Sequence, residues 1–488
     1  MNNRNRRAFL KSSLLTAAAA GTWPLISGCQ TQGRTARVHG ANDDIRVAVV
    51  GFNGRGKSHI GDLRNLKGVR LVALCDVDKD VLDKGVQELK AKGNQVTAYQ
   101  DIRHLLENPD IDAVTFATPN HWHALGAIWA VQAGKDVYVE KPASHNVWEG
   151  RQLVLAARNH GRMVQTGSQC RSSVGLQEAI AWLRAGNHGK IIRARGLCYK
   201  RRASIGQADA PLVIPASIDY DLWCGPAPKE PLMRKRLHYD WHWVWPSGNG
   251  DLGNQGVHQV DIARWVLGEN ELAPVAFSIG GRLGYEDDGT TPNTQIIYQG
   301  YAKAPLLFEV RGLPASSTID KMDHYHGAGI GVVIDCEGGR VVIPSYSKAI
   351  VFDREDKEIK KFDEGGDHFE NFIKAVRSRK HTDLAADILD GHLSAGLCHT
   401  ANISYRLGRK QSPEEIRDAV RNNPDLAEAF GRLEEHLAAN LVDTRKTPAT
   451  LGAVLKMNPK TERFVGNAAA DEMLTRHYRA PFVVPAKV

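Results

Sequence analysis

A histidine and an aspartate one helical turn apart form a pair that could move a proton. Apolar residues recur at helical spacing after Gln255 and stop near Gly268, which predicts a helix there. His258 and Asp261 lie on one side of that helix, so we expect their side chains to touch. A carboxylate beside a histidine can hold the imidazole tautomer and raise its basicity. The pair suits a general base that removes a hydroxyl proton, although a histidine three residues from an aspartate is more often structural.

A second group suited to acid–base chemistry is the lysine of Glu140-Lys141-Pro142, which follows a short predicted strand. Most Lys-Pro pairs place a surface lysine before a turn. Beside a positive charge and partly out of water, however, the ammonium form of Lys141 would be disfavoured. A lysine in that environment could hydrogen-bond a reacting hydroxyl and help to polarise it.

The elements that must position these residues begin with a strand, a glycine-rich turn and a helix at 45–66. Glycines let backbone N–H groups approach a pyrophosphate closely, and the N-terminus of a helix favours its negative charge. A second apolar strand ends at Asp76, where a dinucleotide fold places the carboxylate that binds the adenosine ribose. The order of strand, turn, helix, strand and acid favours a dinucleotide site over an ordinary tight turn.

The glycine turn is a variant, because Asn53 stands at the second glycine position of G-x-G-x-x-G and Gly54 lies next to it. Asp76 favours NAD, since the 2′-phosphate of NADP would meet its charge. Arg55 could offset that charge, so NADP stays an alternative. A nicotinamide bound here would carry the positive charge that disfavours the ammonium form of Lys141.

Strands and helices alternate from residue 43 to residue 167, which predicts an α/β fold with a doubly wound parallel sheet. Ligands of such sheets gather at the carboxyl ends of the strands. The turns 51–56, 118–123 and 140–142 all follow predicted strands, so we expect them to meet at one edge. Beyond residue 190, short strands joined by glycine or charged turns predict an antiparallel sheet.

Four stretches resemble the Gfo/Idh/MocA oxidoreductases, and the resemblance covers most of the chain after Asp43. They are the glycine turn, Ala-Thr-Pro-Asn-His-Trp-His at 117–123, Tyr-Val-Glu-Lys-Pro at 138–142 and Gly-Asn-Gly-Asp-Leu-Gly-Asn-Gln-Gly-Val-His-Gln-Val-Asp at 248–261. The Glu-Lys-Pro element is the most specific of them. The resemblance implies a Rossmann domain followed by an α/β domain with an open, mostly antiparallel sheet. It also implies NAD or NADP and a saccharide or polyol substrate.

The motifs and the resemblance together assign roles to residues. For the cofactor we expect contacts from Gly51, Asn53, Gly54, Arg55, Gly56, Asp76, Thr118, Pro119, Asn120, His123, Glu140 and Lys141. For the substrate we expect contacts from Lys141, Gln169, Arg171, Asn254 and His258. For the chemistry we expect Lys141, Asn254, His258 and Asp261.

Asn254 departs from the pattern that the resemblance implies. Many relatives carry aspartate at this position, where it assists the reacting hydroxyl. Asparagine can hydrogen-bond but cannot accept a proton at neutral pH. This leaves His258 and Lys141 as the acid–base pair. In the 118–123 turn, His121 and His123 could lie against the cofactor or cap the helix that follows them.

The first thirty residues resemble an export signal. Asn-Arg-Arg-Ala-Phe-Leu-Lys at 5–11 resembles a twin-arginine motif, and an apolar, alanine-rich segment follows at 14–26. That segment is too short and too weakly apolar to predict a membrane span. Ile-Ser-Gly-Cys at 26–29 resembles a lipobox, which would put a lipid anchor on Cys29, although a signal-peptidase site would also serve. We expect an exported protein, either periplasmic or anchored to the membrane as a lipoprotein.

Export by this route has a consequence for the cofactor. The twin-arginine route carries folded proteins, usually because a cofactor must be inserted before crossing. A nicotinamide enzyme outside the cytoplasm cannot draw on the soluble pool. We therefore expect tightly bound NAD.

Composition argues against two other classes of protein. The net charge is +8, but basic residues within the first eleven positions supply four of those charges and the others are scattered, so we expect no nucleic-acid partner. The cysteines after Cys29 are widely spaced and lack a C-x-x-C pattern. We also expect no metal, because the Asp-His-Tyr-His run at 323–326 lacks metal-ligand spacing.

We expect four regions along the chain. They are an export signal and tether at 1–42, a Rossmann domain at 43–167, an α/β domain for substrate and oligomer contacts at 168–410, and a helical tail at 411–488. Within the third region, the aromatic run 238–245 could stack against a sugar or pack between domains. We also expect a homo-oligomer.

Three functions agree with these observations. The first is an NAD(P)-dependent oxidoreductase that transfers hydride between a sugar or polyol hydroxyl carbon and a tightly bound nicotinamide. The second is a glycosidase on the same scaffold, which would oxidise a sugar transiently, eliminate the aglycone, add water and reduce the sugar back. The third is a non-catalytic sugar-binding lipoprotein.

Overall fold

The computed structural model describes residues 44–488, so the export signal and lipid anchor predicted at 5–29 lie outside the described residues. The first of two sheets consists of β1 (Ile45–Val50), β2 (Val69–Cys75), β3 (Thr97–Tyr99), β4 (Ala113–Phe116), β5 (Asp136–Val139) and β6 (Val164–Thr166). Its six strands are parallel in the order β3-β2-β1-β4-β5-β6, which confirms the predicted Rossmann sheet. The helices are α1 (Gly56–Asn65), α2 (Lys79–Ala91), α3 (Ile102–Glu107), α4 (Asn120–Gln132) and α5 (Val147–Asn159).

The sequence explains why this sheet is buried on both faces. Ile45, Val47 and Val49 of β1 are fully buried, as is typical of β-branched residues in a parallel strand. The side chains of Asp78 and Asp101 cap the N-termini of α2 and α3. Strands and helix N-termini are therefore held in place at the edge where the three turns lie.

The second sheet has twelve strands and is antiparallel except where β7 runs parallel to β10. Its strands are β7 (Ile191–Tyr199), β8 (Val275–Gly281), β9 (Thr294–Gly300), β10 (Leu306–Arg311), β11 (Ile330–Cys336), β12 (Gly339–Ile343), β13 (Lys348–Phe352), β14 (Glu358–Asp363), β15 (Arg409–Lys410), β16 (Thr450–Leu451), β17 (Leu455–Asn458) and β18 (Arg463–Phe464). This confirms the predicted, mostly antiparallel α/β domain. The helices after β6 are α6 (Val174–Arg184), α7 (Tyr220–Cys224), α8 (Val257–Leu267), α9 (His368–Ser378), α10 (Ile388–Arg406), α11 (Pro413–Val420), α12 (Pro424–Ala439) and α13 (Ala468–Glu472). Among them, α9 packs in the core of the Rossmann sheet through Phe369 and Phe372.

The second sheet is covered on both faces. On one face, Val260 of α8 and Leu397 of α10 share a core with Ile297 of β9. On the other face, Ile416 of α11 and Leu433 of α12 pack against β8, β9 and β10. The C-terminal region thus covers a sheet face that the first 410 residues would leave apolar and exposed.

Residues 411–488 are not the purely helical tail that the sequence predicts. β16 and β17 pair with β8, so this region also extends the sheet. Strands this short show no periodicity in the sequence, because only pairing with a neighbouring strand determines that they form. After α13 the chain crosses onto the Rossmann domain, where Phe482 packs against Trp122 and Trp129 of α4. Across residues 44–488, no helix combines the length and the apolarity that a membrane span needs.

Candidate active site

A cavity of about 570 Å³ lies at the carboxyl ends of β1, β2, β4 and β5. The three turns at 51–56, 118–123 and 140–142 meet there, as the sequence predicts. The predicted site residues that line the cavity are Gly51, Asn53, Gly54, Arg55, Asp76, Thr118, Pro119, Asn120, His123, Glu140, Lys141, Gln169, Asn254 and His258. Among the predicted site residues, all of which the structure describes, Gly56, Arg171 and Asp261 lie outside its lining.

The glycine turn has one open side and one packed side. Gly51 has φ +76°, and a Cβ there would lie 2.9 Å from the backbone nitrogen of Thr118. A Cβ on Gly56 would lie 2.1 Å from the carbonyl oxygen of Gly51, so Gly56 closes the turn from behind. At Gly54, by contrast, a Cβ would meet nothing within 4 Å. The open side faces the cavity at the N-terminus of α1 and suits the close approach of a pyrophosphate.

Asp76 joins the glycine turn to the end of β2. Its carboxylate accepts hydrogen bonds from the backbone N–H groups of Phe52 (3.0 Å) and Asp78 (3.1 Å). Burial raises the pKa of Asp76. Each oxygen still has a lone pair to accept a hydroxyl proton, as from a ribose. Nearby, the buried Thr118 Oγ1 has no hydrogen-bond partner within the described chain. Open glycine, acceptor carboxylate and orphan hydroxyl together fit a dinucleotide.

Glu140 is a fixed anion in the lining of the cavity. It accepts hydrogen bonds from Arg55 Nε (2.8 Å), His59 Nε2 (3.2 Å) and Gln169 Nε2 (3.3 Å). Burial alone would raise the pKa of Glu140, but the hydrogen bond and charge of His59 and the charge of Arg55 hold it well below its usual range. His59 is not among the residues predicted from the sequence, where its only signal is its place on the first turns of α1.

Lys141 and Asn254 lie in contact at the cavity. Lys141 Nζ donates to the carbonyl oxygen of Asn254 at 2.8 Å and lies 3.5 Å from its Oδ1. Asn254 belongs to a π-helical turn, Leu252–Gly256, which directly precedes α8. Such turns widen the backbone spacing and are frequent at functional sites. Burial lowers the pKa of Lys141, although the charge of Glu140 opposes the shift.

His258 faces the cavity from the first turn of α8. It is 5% exposed, and its Nδ1 has no hydrogen-bond partner among residues 44–488. Burial, together with the positive charge of Lys141, lowers the pKa of His258 to about 3. The imidazole is therefore neutral at physiological pH and holds a lone pair that can accept a proton.

The predicted contact between His258 and Asp261 is wrong. Both oxygens of Asp261 bind the guanidinium of Arg171, at 2.7 and 2.9 Å, and Ser394 Oγ donates to one of them at 2.6 Å. Arg171 is 6% exposed and also pairs with Asp390, so its predicted place beside the substrate is wrong as well. A buried arginine fork and a buried carboxylate stabilise each other more than a neutral imidazole could stabilise either.

The two histidines of the 118–123 turn hold backbone segments together. His123 lies with Nδ1 2.7 Å from the carbonyl oxygen of Pro142 and Nε2 2.8 Å from that of Thr118. His121 Nε2 lies 2.9 Å from the carbonyl oxygen of Trp223. His123 thus ties the turn after β4 to the turn after β5, and neither ring caps the following helix.

The aromatic run 238–245 is partly buried and partly lines the cavity, so stacking against a sugar stays a prediction. Its Trp241 and Trp243 are buried, and its His238, Tyr239, Trp241 and His242 line the cavity. His238 Nε2 lies 2.9 Å from a carboxylate oxygen of Asp78, which anchors the run beside Asp76. Tyr346, which is not predicted from the sequence, also lines the cavity, with its ring centroid 4.9 Å from that of His258.

The segment before this run lies against the Rossmann domain. The backbone of Lys79 donates to the carbonyl of Ser217 at 2.8 Å, and the backbone of Asp219 donates to the carbonyl of Val77 at 3.1 Å. The C-terminal segment holds it from outside, because Arg479 donates to the carbonyl oxygen of Gly225 at 3.0 Å. Residues 200–246, which we name the insert, thereby close one side of the cavity.

Comparison with known proteins agrees with this architecture. Residues 45–168 match the family model described as "Oxidoreductase family, NAD-binding Rossmann fold", and residues 188–309 match "Oxidoreductase family, C-terminal alpha/beta domain". A "Glycosyl hydrolase family 109 protein 2" of Shewanella sp. (strain ANA-3) is 32% identical over 32% of this chain and 38% of its own length. A "Glycosyl hydrolase family 109 protein" of Solibacter usitatus is 29% identical over 39% of this chain and 45% of its own length. The chain thus matches less than half the length of these curated relatives.

Solved structures share the fold. The WlbA dehydrogenase from Bordetella pertussis, in complex with NADH and UDP-GlcNAcA, has a TM-score of 0.54 at 20% identity, over 72% of this chain and 94% of its own. The two family models cover about half of the chain and fall on its two sheets. This chain belongs to the Gfo/Idh/MocA family of oxidoreductases, and its first domain is an NAD-binding Rossmann domain.

Proposed function

We propose that the protein is an NAD-dependent oxidoreductase that acts on a CH–OH group of a saccharide or polyol. The observation that carries this proposal is that Lys141 and His258, two groups able to exchange a proton, face the cavity of the NAD-binding domain. When bound, the nicotinamide takes up the hydride that leaves the substrate carbon. Every other task falls to residues of the chain.

His258 accepts the hydroxyl proton, and Lys141 orients and polarises the hydroxyl. His258 is neutral and can accept it, whereas Lys141 donates a hydrogen bond to the Asn254 carbonyl and keeps two N–H groups for a substrate oxygen. The two groups are coupled, because the ammonium charge of Lys141 lowers the proton affinity of His258. Loss of the Lys141 proton would raise that affinity. Asn254 can orient the hydroxyl but cannot take its proton.

We also propose that the nucleotide stays bound through turnover. The insert closes the cavity beside Asp76, and the C-terminal segment holds the insert in place. Retention suits an exported enzyme, and export, the lipid anchor on Cys29 and a homo-oligomer remain proposals from the sequence. NADP remains an alternative because Arg55 lies in the glycine turn.

The second candidate is a glycosidase, favoured by the relatives named glycosyl hydrolase family 109. Such an enzyme oxidises a sugar carbon transiently, which acidifies the neighbouring C–H and lets the aglycone leave. Water then adds and the carbon is reduced again, so the reaction has no net redox change. A retained nucleotide suits this reaction equally well.

Mass spectrometry of the denatured, purified protein tests retention directly. We expect one equivalent of NAD, and a protein without nucleotide contradicts the proposal. Sugars and polyols are then added while the absorbance of the reduced nicotinamide is followed, and chromogenic glycosides are added without cofactor. A lasting absorbance change supports the oxidoreductase, whereas release of the chromogenic group without net change supports the glycosidase.

The variants Lys141→Ala and His258→Ala distinguish both enzymes from a non-catalytic sugar-binding protein. We expect each to lower turnover about 10²- to 10⁴-fold, as the loss of a general acid or base usually does. Lys460→Ala is the matched control, since Lys460 pairs with Glu271 on the surface. If turnover were unchanged in both cavity variants, only the hypothesis of a non-catalytic sugar-binding protein would remain.

A further inference from the structure

A chain of hydrogen bonds beside the cavity joins Lys200, Gln255 and Tyr346. Lys200, at the end of β7, donates from Nζ to Gln255 Oε1 at 3.1 Å. Gln255 donates from Nε2 to the hydroxyl oxygen of Tyr346 at 2.9 Å. Of the three residues, Tyr346 alone is among those that line the cavity.

In each hydrogen bond of this chain, only one of the two groups can be the donor. An ammonium group only donates, so the amide oxygen of Gln255 must face Lys200. The amide NH₂ group must then face Tyr346, and because it also only donates, the phenol oxygen must accept. The phenol proton takes no part in the contact and is left for another acceptor. Burial raises the pKa of Tyr346 to about 12, so the phenol keeps this proton at neutral pH.

The cavity offers this proton a place beside His258. The ring centroids of Tyr346 and His258 are 4.9 Å apart, and the buried Nδ1 of His258 is unpartnered within the described residues. We propose that Lys200 and Gln255 are positioning residues that make Tyr346 a one-way hydrogen-bond donor to a substrate oxygen next to His258. This inference rests on the proposed function, because it requires a sugar or polyol oxygen in the cavity.

Two substitutions at Gln255 separate this role from packing. Gln255→Glu keeps the size of the side chain and the contact with Lys200, but a carboxylate only accepts, so it captures the phenol proton of Tyr346. Gln255→Leu removes both hydrogen bonds but leaves the phenol proton available. A residue that merely packs would tolerate glutamate at least as well as leucine. We expect instead that Gln255→Glu lowers kcat/KM more than Gln255→Leu does.

The experiment compares kcat and KM of Tyr346→Phe, Gln255→Glu and Gln255→Leu on the sugar or polyol that the wild type converts. Tyr346→Phe and Gln255→Glu should each lower kcat/KM about five- to tenfold, the usual effect of losing one hydrogen bond to a substrate oxygen. Gln255→Leu should lower it by a smaller factor, about threefold, because the phenol keeps its proton but loses the group that orients it. The amount of co-purified nucleotide should be unchanged in all three.

Tyr301→Phe is the matched control, since it removes a hydroxyl that donates to the carbonyl of Glu271 at 3.0 Å and lies outside the lining of the cavity. It should leave kcat/KM unchanged. Wild-type activity in Gln255→Glu, or a larger loss in Gln255→Leu than in Gln255→Glu, would overturn the inference and leave the proposed function standing. A wild type that converts no sugar, polyol or glycoside would overturn both.

Discussion

At the scale of single residues, Asp261 shows how a buried carboxylate acquires its partner. Burial would raise the pKa of Asp261, but Arg171 lowers it by charge and hydrogen bonds. The carboxylate therefore holds Arg171 and Ser394 against α8 instead of orienting His258. Asp261 is thus a structural residue one turn away from the chemistry.

Asp261→Asn should consequently lower stability more than turnover. Removing one charge of a buried ion pair costs about 3–5 kcal/mol, and the remaining pairing of Arg171 with Asp390 places this loss at the low end of that range. Denaturant unfolding measures this loss, and kcat per folded molecule should change little. Ser394→Ala is the control and should lower stability by about 1 kcal/mol. Normal stability with a hundredfold loss of kcat would instead restore Asp261 to the catalytic machinery.

Lys141→Met should raise the pKa of His258. Burial is the main cause of the low value of about 3, and the charge of Lys141 is the second. A neutral methionine removes the second cause only, so the pKa rises but stays below its ordinary value. NMR titration of ¹³C-labelled histidine measures the shift, with surface Lys460→Met as the control. An unmoved pKa would show that the two groups are not coupled.

At the scale of elements, the C-terminal segment secures α7 of the insert. Arg479 donates to the carbonyl oxygens of Asp221 (2.8 Å) and Gly225 (3.0 Å), and Phe482 packs on Trp122. The indole of Trp122 in turn donates to the carbonyl of Leu222 at 2.9 Å. The C-terminal segment therefore contacts the wall of the cavity twice, through Arg479 on α7 and through Phe482 on Trp122.

Arg479→Ala should accelerate nucleotide release. Losing hydrogen bonds worth about 1–1.5 kcal/mol corresponds to roughly a tenfold faster opening of the insert. Exchange of bound NAD for labelled NAD measures the rate. Arg421→Ala is the control, because Arg421 forms an exposed ion pair with Asp418 in the tail and should not affect release. Equal release rates in wild type and Arg479→Ala would show that the C-terminal segment does not help to retain the nucleotide.

At the scale of the whole molecule, the histidines make stability depend on pH. Burial lowers the pKa of His121, His258 and His399 to about 3 and that of His368 and His436 to about 4. Below an unfolded value of about 6.5, the unfolded chain binds protons that the folded chain does not. Stability is therefore full above about pH 6.5 and falls as the pH drops toward 4.

Thermal unfolding between pH 7.5 and pH 4.5 should show this loss as a falling Tm. Each histidine contributes up to about 1.4 kcal/mol per pH unit within the window. His436→Leu should remove the contribution of one histidine to the pH dependence of Tm. No hydrogen bond is lost with it, because both ring nitrogens of His436 lack partners among the described residues. A Tm that is constant over this range would contradict the argument.

The sequence by itself determined the dinucleotide site and the two-domain fold. Gly51, Asp76 and Lys141 each lie at the end of a short apolar strand, and their roles depend on spacing along a few residues. Parallel strands bring such ends to one edge whatever else the chain does. Local pattern was therefore sufficient for the cofactor turn, whereas the pairing of Lys141 with His258 rested on the resemblance to the family.

Only the tertiary structure decided which partners these groups take. Arg171 reaches Asp261 across 90 positions, and Tyr346 reaches Gln255 across 91. The insert and the C-terminal segment likewise meet the cavity from distant parts of the chain. A buried charge or donor takes whichever partner lowers its free energy most. Spacing along one helix cannot show that competition, because the winning partner arrives from another element.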